Sequence, residues 1–267
     1  MGNLLLGIIL AFGILIPVAY KWELNLKIVS ISALAIGLFA GLTVSAVAFY
    51  FDISPALKLL TCLVLIIVTA GAALLIRFYR DPDRFPPERG DIIVAPADGV
   101  IRYIKHIEKG NIPFLSKGKE SVRLSEPLLS ILPDGQGYLI AIGMTFLDVH
   151  VTRAAVSGEV TYLEHIPGGF YSLKREDAPY RNERLIEVIE NDRFKIGVIQ
   201  IASRLVRRIV AYVREGDKLD LGQRIGMIKF GSQVDIILPR LEELKLSVDV
   251  GQQVYAGSSV IAEYSRK

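Results

Sequence analysis

The sequence predicts N-terminal transmembrane α-helices followed by a mainly β domain of barrel-sandwich-like, α+β character. Three observations carry this. Residues 3–20, 28–50 and 57–76 are apolar runs in which Lys58 is the only charge, each close to the roughly 20 residues that cross a bilayer core as a helix. From residue 77 onward, charged and apolar residues mix, and short strand-like runs alternate with turn residues. Finally, Gly216, Leu219, Gly222 and Ile225 are matched 35 positions later by Gly251, Val254, Gly257 and Val260. Each copy reads as turn, short strand, turn and strand, the pattern of barrel-sandwich folds.

With 51% hydrophobic residues among 267, a mean hydropathy of +0.41 and a formal charge of +3, the average is too apolar for one ordinary soluble domain. Burying three such runs in a soluble core would need a far larger protein. The first run lacks the positive flank of a signal peptide and reads as a span. Lys21 and Lys27 lie between spans one and two, and Arg77, Arg80 and Arg84 follow span three. The positive-inside rule then predicts a multi-pass protein of the cell membrane with its second domain in the cytoplasm. Residues 1–79 read as the anchor and 80–267 as the folded domain. The single cysteine, Cys62, excludes an intrachain disulfide, and no zinc pattern or nucleic-acid partner is expected.

Along the second domain, the proline-rich stretch 80–87 reads as a helix stop and linker. Residues 91–101 read as strand, turn and strand, with Asp98-Gly99 giving a short-range hairpin signal. In the run Val149-His150-Val151, alternation sets His150 on the face opposite its valines. Of the three histidines, His106 reads as exposed, and His165 precedes the turn-like Ile166-Pro167-Gly168-Gly169. His150 is the best general-base candidate, because imidazole titrates near neutral pH and both accepts and returns protons. Late in the chain, Gly231-Ser232 lies between two strand-like runs, where a tight bend sets the serine hydroxyl against its own preceding carbonyl.

In this order, Arg80-Asp81-Pro82, Pro96-Ala97-Asp98-Gly99, Asp148-Val149-His150, the Pro-Gly loop, Asn182-Glu183-Arg184 and Phe230-Gly231-Ser232 resemble the phosphatidylserine decarboxylase family, over about residues 77–238. The resemblance implies a zymogen that cuts itself between Gly231 and Ser232. Ser232 would attack the Gly231 carbonyl, and elimination and hydrolysis would leave a covalent pyruvoyl cofactor on Ser232. It implies further that the product, a heterodimer of chains 1–231 and 232–267, decarboxylates a membrane serine phospholipid, phosphatidylserine or archaetidylserine; higher oligomers are left open. Serine is a weak nucleophile until a base takes its proton, and the family supplies Ser232, His150 and Asp98 as catalytic residues.

The chain departs from the family's longer members, which carry a second histidine three residues after the first. That position is Arg153. Either His150 serves both self-processing and decarboxylation, or another group activates Ser232. The matched loop residues His165, Gly168, Gly169, Asn182 and Arg184 are the expected substrate-binding set, with glycines beside Lys174, Arg175 and Arg181 suited to cradle a lipid phosphate; a solvated basic loop is the equal alternative. The rival from another class is a non-enzymatic, membrane-tethered barrel-sandwich adaptor in which Gly231-Ser232 is an ordinary turn.

Overall fold

The computed structural model describes residues 1–22, 24–88, 90–113, 121–123, 125–175, 177–203, 208–229 and 232–264. The chain divides into two compact units, residues 1–80 with 145–147, and residues 81–144 with 148–267.

The first unit is built on helices α1 (Gly2–Lys21), α2 (Leu26–Tyr50) and α3 (Pro55–Phe78), all three long and apolar enough to cross a membrane. Asn25 caps α2 by accepting from the amides of Lys27 and Ile28. Ser54 caps α3, with Pro55 in the first turn where no amide hydrogen is needed. Helices α1 and α2 touch through backbone: a Cβ on Gly7 would meet the Gly37 carbonyl, and one on Gly41 would lie 2.7 Å from the Asn3 carbonyl. Such small-residue contacts are how apolar helices associate where lipid gives no hydrophobic drive.

The second unit runs β1 (Ile92–Val94), β2 (Gly99–Ile107), β3 (Asn111–Pro113), β4 (Ser121–Arg123), α4 (Glu126–Leu129), β5 (Gly137–Gly143), β6 (Val151–Arg153), β7 (Gly158–Ile166), α5 (Ala178–Arg181), β8 (Arg184–Glu190), β9 (Lys195–Ala202), β10 (Arg208–Ala211), β11 (Lys218–Leu219), β12 (Arg224–Lys229), β13 (Ser232–Pro239), β14 (Leu244–Leu246), β15 (Gln253–Val254) and β16 (Val260–Tyr264). Eight strands form one curled sheet in the order β11-β7-β8-β9-β13-β5-β2-β15. Two smaller sheets have the orders β1-β16-β14 and β10-β12-β6, and β3 pairs with β4.

Along β13 the period of two sorts the side chains. Val234, Ile236 and Leu238 enter the main core, with Ile93 of β1, Val198 of β9, Ile228 of β12 and Ile261 of β16. Ile237 points the other way, into a second cluster with Leu139, Ile186, Ile199 and Ile201 under Leu128 and Ile131. The main core is therefore shared between one face of the large sheet and both small sheets.

The large sheet is a palindrome about the β9-β13 pair. β11 answers to β15, β7 to β2 and β8 to β5, while the sheet β10-β12-β6 answers to β14-β16-β1. The repeat seen in the sequence is half of this symmetry. Its glycines hold matched left-handed turns, with φ of 86° and 91° at Gly216 and Gly251, and 79° and 71° at Gly222 and Gly257. The other half sets β1-β2 against β6-β7, where Ala95, Gly99 and Tyr103 are matched 59 positions later by Ala154, Gly158 and Tyr162.

One expectation needs correction. Asp98-Gly99 does not turn a hairpin: β1 pairs with β16, whereas β2 pairs with β5 and β15. The chain changes sheets at this corner, and Asp98 bonds distant groups instead of closing its own turn.

Candidate active site

Asp98 sits at that corner, 2% exposed. Arg84 donates from both terminal nitrogens, Nη1 to Oδ1 at 2.6 Å and Nη2 to Oδ2 at 2.7 Å. The amide of Ala256 donates to Oδ1 at 2.8 Å and that of Val149 to Oδ2 at 3.4 Å. Such bidentate, charge-assisted pairing is the strongest form available to a carboxylate. Asp98 therefore reaches the backbone one residue before His150, and acts on that residue through the main chain.

His150 is fully buried just before β6. Its Nδ1 lies 2.9 Å from the Asp148 carbonyl, which only accepts. In the neutral ring Nδ1 then carries the hydrogen and Nε2 the lone pair, the form a base needs. The His150 carbonyl accepts from the amide of Ile228 at 3.1 Å. β12 therefore carries the chain past His150 and on toward the predicted cleavage pair.

Gly231 lies outside the described residues. Ser232 is located by its backbone: it opens β13, opposite Ala202 of β9, and the next residue, Gln233, is opposite Ile201 of β9 and Gly143 of β5. A break before Ser232 would thus leave the new chain end on a strand held from both sides.

Arg153, at the position of the expected second histidine, is occupied elsewhere. It is 4% exposed and donates to the Gly222 carbonyl at 3.0 Å, the Pro82 carbonyl at 2.9 Å and Asp81 at 3.1 Å. Arg224 also grips this segment, through Asp81 at 2.6 Å and Asp83 at 2.9 Å. The linker read in the sequence is in fact pinned to the β domain by arginines.

The expected substrate-binding residues gather beside the end of β9: His165 near the end of β7, Gly168, Gly169 and Asn182 on the connection that follows, and Arg184 at the start of β8. Asn182 is fully buried, accepting from the amide of Tyr171 at 2.8 Å and donating to the carbonyls of Tyr171 and Ala202 at 2.9 Å each. It ties the loop to the register partner of Ser232. Gly168 is needed for this closeness, since a Cβ there would run into the Asn182 carbonyl carbon. Gly169 bonds the Arg181 carbonyl at 2.7 Å. His165, half-exposed, pairs with Glu183 at 2.9 Å. Arg184 donates to the Tyr180 carbonyl at 2.7 Å, and burial pulls its pKa down. Of the neighbouring cations, Arg175 and Arg181 both pair with Asp177, so the basic loop carries its own counter-charge.

Comparison with known proteins bears on this arrangement. The family model described as phosphatidylserine decarboxylase matches residues 72–262. This chain belongs to the phosphatidylserine decarboxylase family. Two relatives share the name "Putative archaetidylserine decarboxylase proenzyme". The protein from Methanocaldococcus jannaschii is 42% identical over 185 residues, covering 69% of this chain and 87% of its own length. The one from Methanothermobacter thermautotrophicus is 44% identical over 195 residues, covering 72% and 82%. Family membership makes the chain a decarboxylase and removes the non-enzymatic adaptor from consideration.

Within this decarboxylase, two buried acids stand near β9 and β13 that the sequence reading had passed over. Asp235, 2% exposed, accepts from Gln233 Nε2 at 2.6 Å, and the Tyr103 hydroxyl lies 3.4 Å from it. Burial pushes its carboxyl up to about 7, against the opposing pull of those bonds and of Lys105, whose ammonium stands 4.6 Å over the Tyr103 ring. Burial and Asp235 in turn drive the Tyr103 pKa up. Glu187, 1% exposed, is pushed up to about 8 by burial. The available signal was a charged residue inside an otherwise apolar strand, as in Val234-Asp235-Ile236 and Ile186-Glu187-Val188.

Proposed function

We propose that this protein is a membrane-anchored, pyruvoyl-dependent decarboxylase of a serine phospholipid, formed when the precursor cuts itself between Gly231 and Ser232. The observation that carries the reading is the placement of β12 and β13: β12 bonds the carbonyl of His150 and ends at Lys229, two residues before Gly231, while Ser232 begins a strand paired on both sides. That environment fits a pyruvoyl group at residue 232, because a strand fixed by β5 and β9 holds a reactive chain end still. When present, the group supplies an electrophilic carbonyl that takes up the substrate amine and draws electrons as carbon dioxide leaves.

The chain's own residues do the rest. His150, with its lone pair on Nε2, is the base for the Ser232 hydroxyl and later returns a proton to the substrate carbon, giving the ethanolamine lipid. Asp98, locked by Arg84, holds the Val149 amide and thereby the orientation of His150. The loop tied down by Asn182 closes over the end of β9, where His165 and Arg184 offer donors to the headgroup. Anchoring confines enzyme and lipid to one surface and raises their encounter rate. The basic flanks put the second domain on the cytoplasmic side. The relatives' names favour archaetidylserine, with phosphatidylserine as the alternative substrate.

Intact mass measurement of the wild type and of Ser232→Ala under denaturing conditions tests this. Chains of residues 1–231 and 232–267, the second with a ketone in place of its amine, are expected from the wild type alone. Decarboxylation of archaetidylserine and phosphatidylserine vesicles then reports the substrate. A wild type that stays whole in membranes overturns the reading.

A further inference from the structure

A chain of three buried polar side chains crosses β6, β9 and β8, with its middle member two residues from the β9 partner of Ser232, and the chemistry above leaves it unused. Thr152 Oγ1 donates to Gln200 Oε1 at 3.1 Å, and Gln200 Nε2 donates to Glu187 Oε2 at 3.0 Å. None of the three exceeds 1% exposure. Both ends of the Gln200 amide are engaged, which fixes how it points.

Stability alone does not account for this chain. The second oxygen of Glu187 is buried without a hydrogen-bond partner, and an unmatched buried polar atom destabilises the fold by its lost hydration. Aliphatic side chains of similar volume would avoid that cost. Polar groups kept at such expense concentrate where geometry is needed for function.

The position of Gln200 supplies that need. On β9 it is the register partner of Val234 and stands two residues from Ala202, the partner of Ser232. Across the interior it fills the space left by Gly226 of β12, where a Cβ would lie 2.6 Å from Gln200 Nε2 and 3.1 Å from Oε1. Gly226 in turn is paired with Thr152 of β6. One residue thus touches both strands: its backbone pairs with β13 at Val234, its side-chain amide lies against Gly226 of β12, and through Thr152 it holds the strand that follows His150.

Resting on the self-cleavage reading, we infer that Gln200, held by Glu187 and Thr152, is a positioning residue that sets the spacing of β12 and β13 at residues 231 and 232. The step it serves forms a bond from the Ser232 oxygen to the Gly231 carbonyl carbon and breaks that carbon's bond to the Ser232 nitrogen. The hydroxyl proton passes to that nitrogen, and no further reactant enters. Spacing matters because such attack is efficient only when the reacting atoms are held close and aligned.

The test follows division of freshly synthesised full-length precursor in lipid nanodiscs by denaturing mass measurement. Gln200→Met and Glu187→Met each slow division at least about tenfold, whereas Glu187→Gln, which still offers Gln200 an acceptor, stays within about threefold of wild type. Because the residues act as a unit, the Gln200→Met/Glu187→Met double variant is no slower than the worse single variant. On a Ser232→Ala background the same substitutions leave the unfolding temperature close to that of Ser232→Ala itself, separating spacing from folding. Thr152→Val, a smaller change, slows division as well and serves if Gln200→Met does not fold.

Wild-type division rates in Gln200→Met or, where that variant does not fold, in Thr152→Val and Glu187→Met overturn the inference. So do equal losses in Glu187→Gln and Glu187→Met, or penalties that multiply in the double variant. In all these cases a dividing wild type leaves the self-cleavage reading standing; a wild type that never divides overturns both.

Discussion

Arg84 and Asp98 meet through both terminal guanidinium nitrogens, at 2.6 and 2.7 Å, in a setting where the aspartate side chain is 2% and the arginine side chain 13% exposed. Removing one partner strands the other charge in the interior, a loss of roughly 3–5 kcal/mol for buried pairs. Arg84→Met and Asp98→Asn are each expected to lower the unfolding temperature and slow chain division, since the Val149 amide loses its anchor. The double variant should regain much of the stability of the wild type. Unchanged unfolding in Arg84→Met would mean that this pair does not hold the corner.

His150→Gln keeps a buried polar side chain but offers no titratable nitrogen. Loss of a general acid-base typically costs about 10²–10⁴ in rate, and that is the expected loss in both division and decarboxylation. The two readouts answer separate questions. Division at the wild-type rate with no decarboxylation would assign activation of Ser232 to another group and leave His150 only the substrate proton.

Stability should depend on pH through Asp235. Burial pushes its folded carboxyl up to about 7, against an unfolded value of about 3.9. Between these values the native chain holds a proton that the unfolded chain has released. This contribution is therefore fully present below about pH 4, declines by up to roughly 1.4 kcal/mol per pH unit as pH rises toward 7, and is level above. The groups facing it, Tyr103, Lys105, Gln233 and Tyr180, remain in Asp235→Asn. That variant should gain on the wild type in unfolding temperature from pH 4 to 7 and no further beyond. A constant difference across that range would rule out a buried neutral Asp235.

The sequence made the helices legible because length and apolarity alone define a span, and α1, α2 and α3 begin and end within a few residues of the apolar runs. β13 was legible for a similar reason, as an apolar strand bounded by Gly231-Ser232 and Pro239. The corner at Asp98 was not: the Asp-Gly pair carries a local hairpin signal, while its true partners, Arg84 and Ala256, are set by the whole fold. Gln200 and Glu187 were hidden in the same way. Within one strand an isolated amide or acid reads as an edge or an exception, and only the packing of β12 over β9 reveals that Gly226 makes room for Gln200. The role of Arg153 likewise depends on Asp81 and Pro82, far back in the chain.

Arg153→His would recreate the spacing of the longer family members, and a sequence argument would expect it to improve self-processing. The structure argues the reverse. An imidazole cannot reach the Gly222 carbonyl, the Pro82 carbonyl and Asp81 together, as the guanidinium does. Its loss frees Asp81 to Arg224 alone and loosens the segment that delivers Arg84 to Asp98. Arg153→His is therefore expected to lower the unfolding temperature and to divide no faster than wild type, with Arg153→Lys between the two because it keeps the charge but not the fork. Faster division in Arg153→His would show that position 153 reaches the Ser232 hydroxyl after all, and that the arginine has displaced a relay that the surrounding fold can still accept.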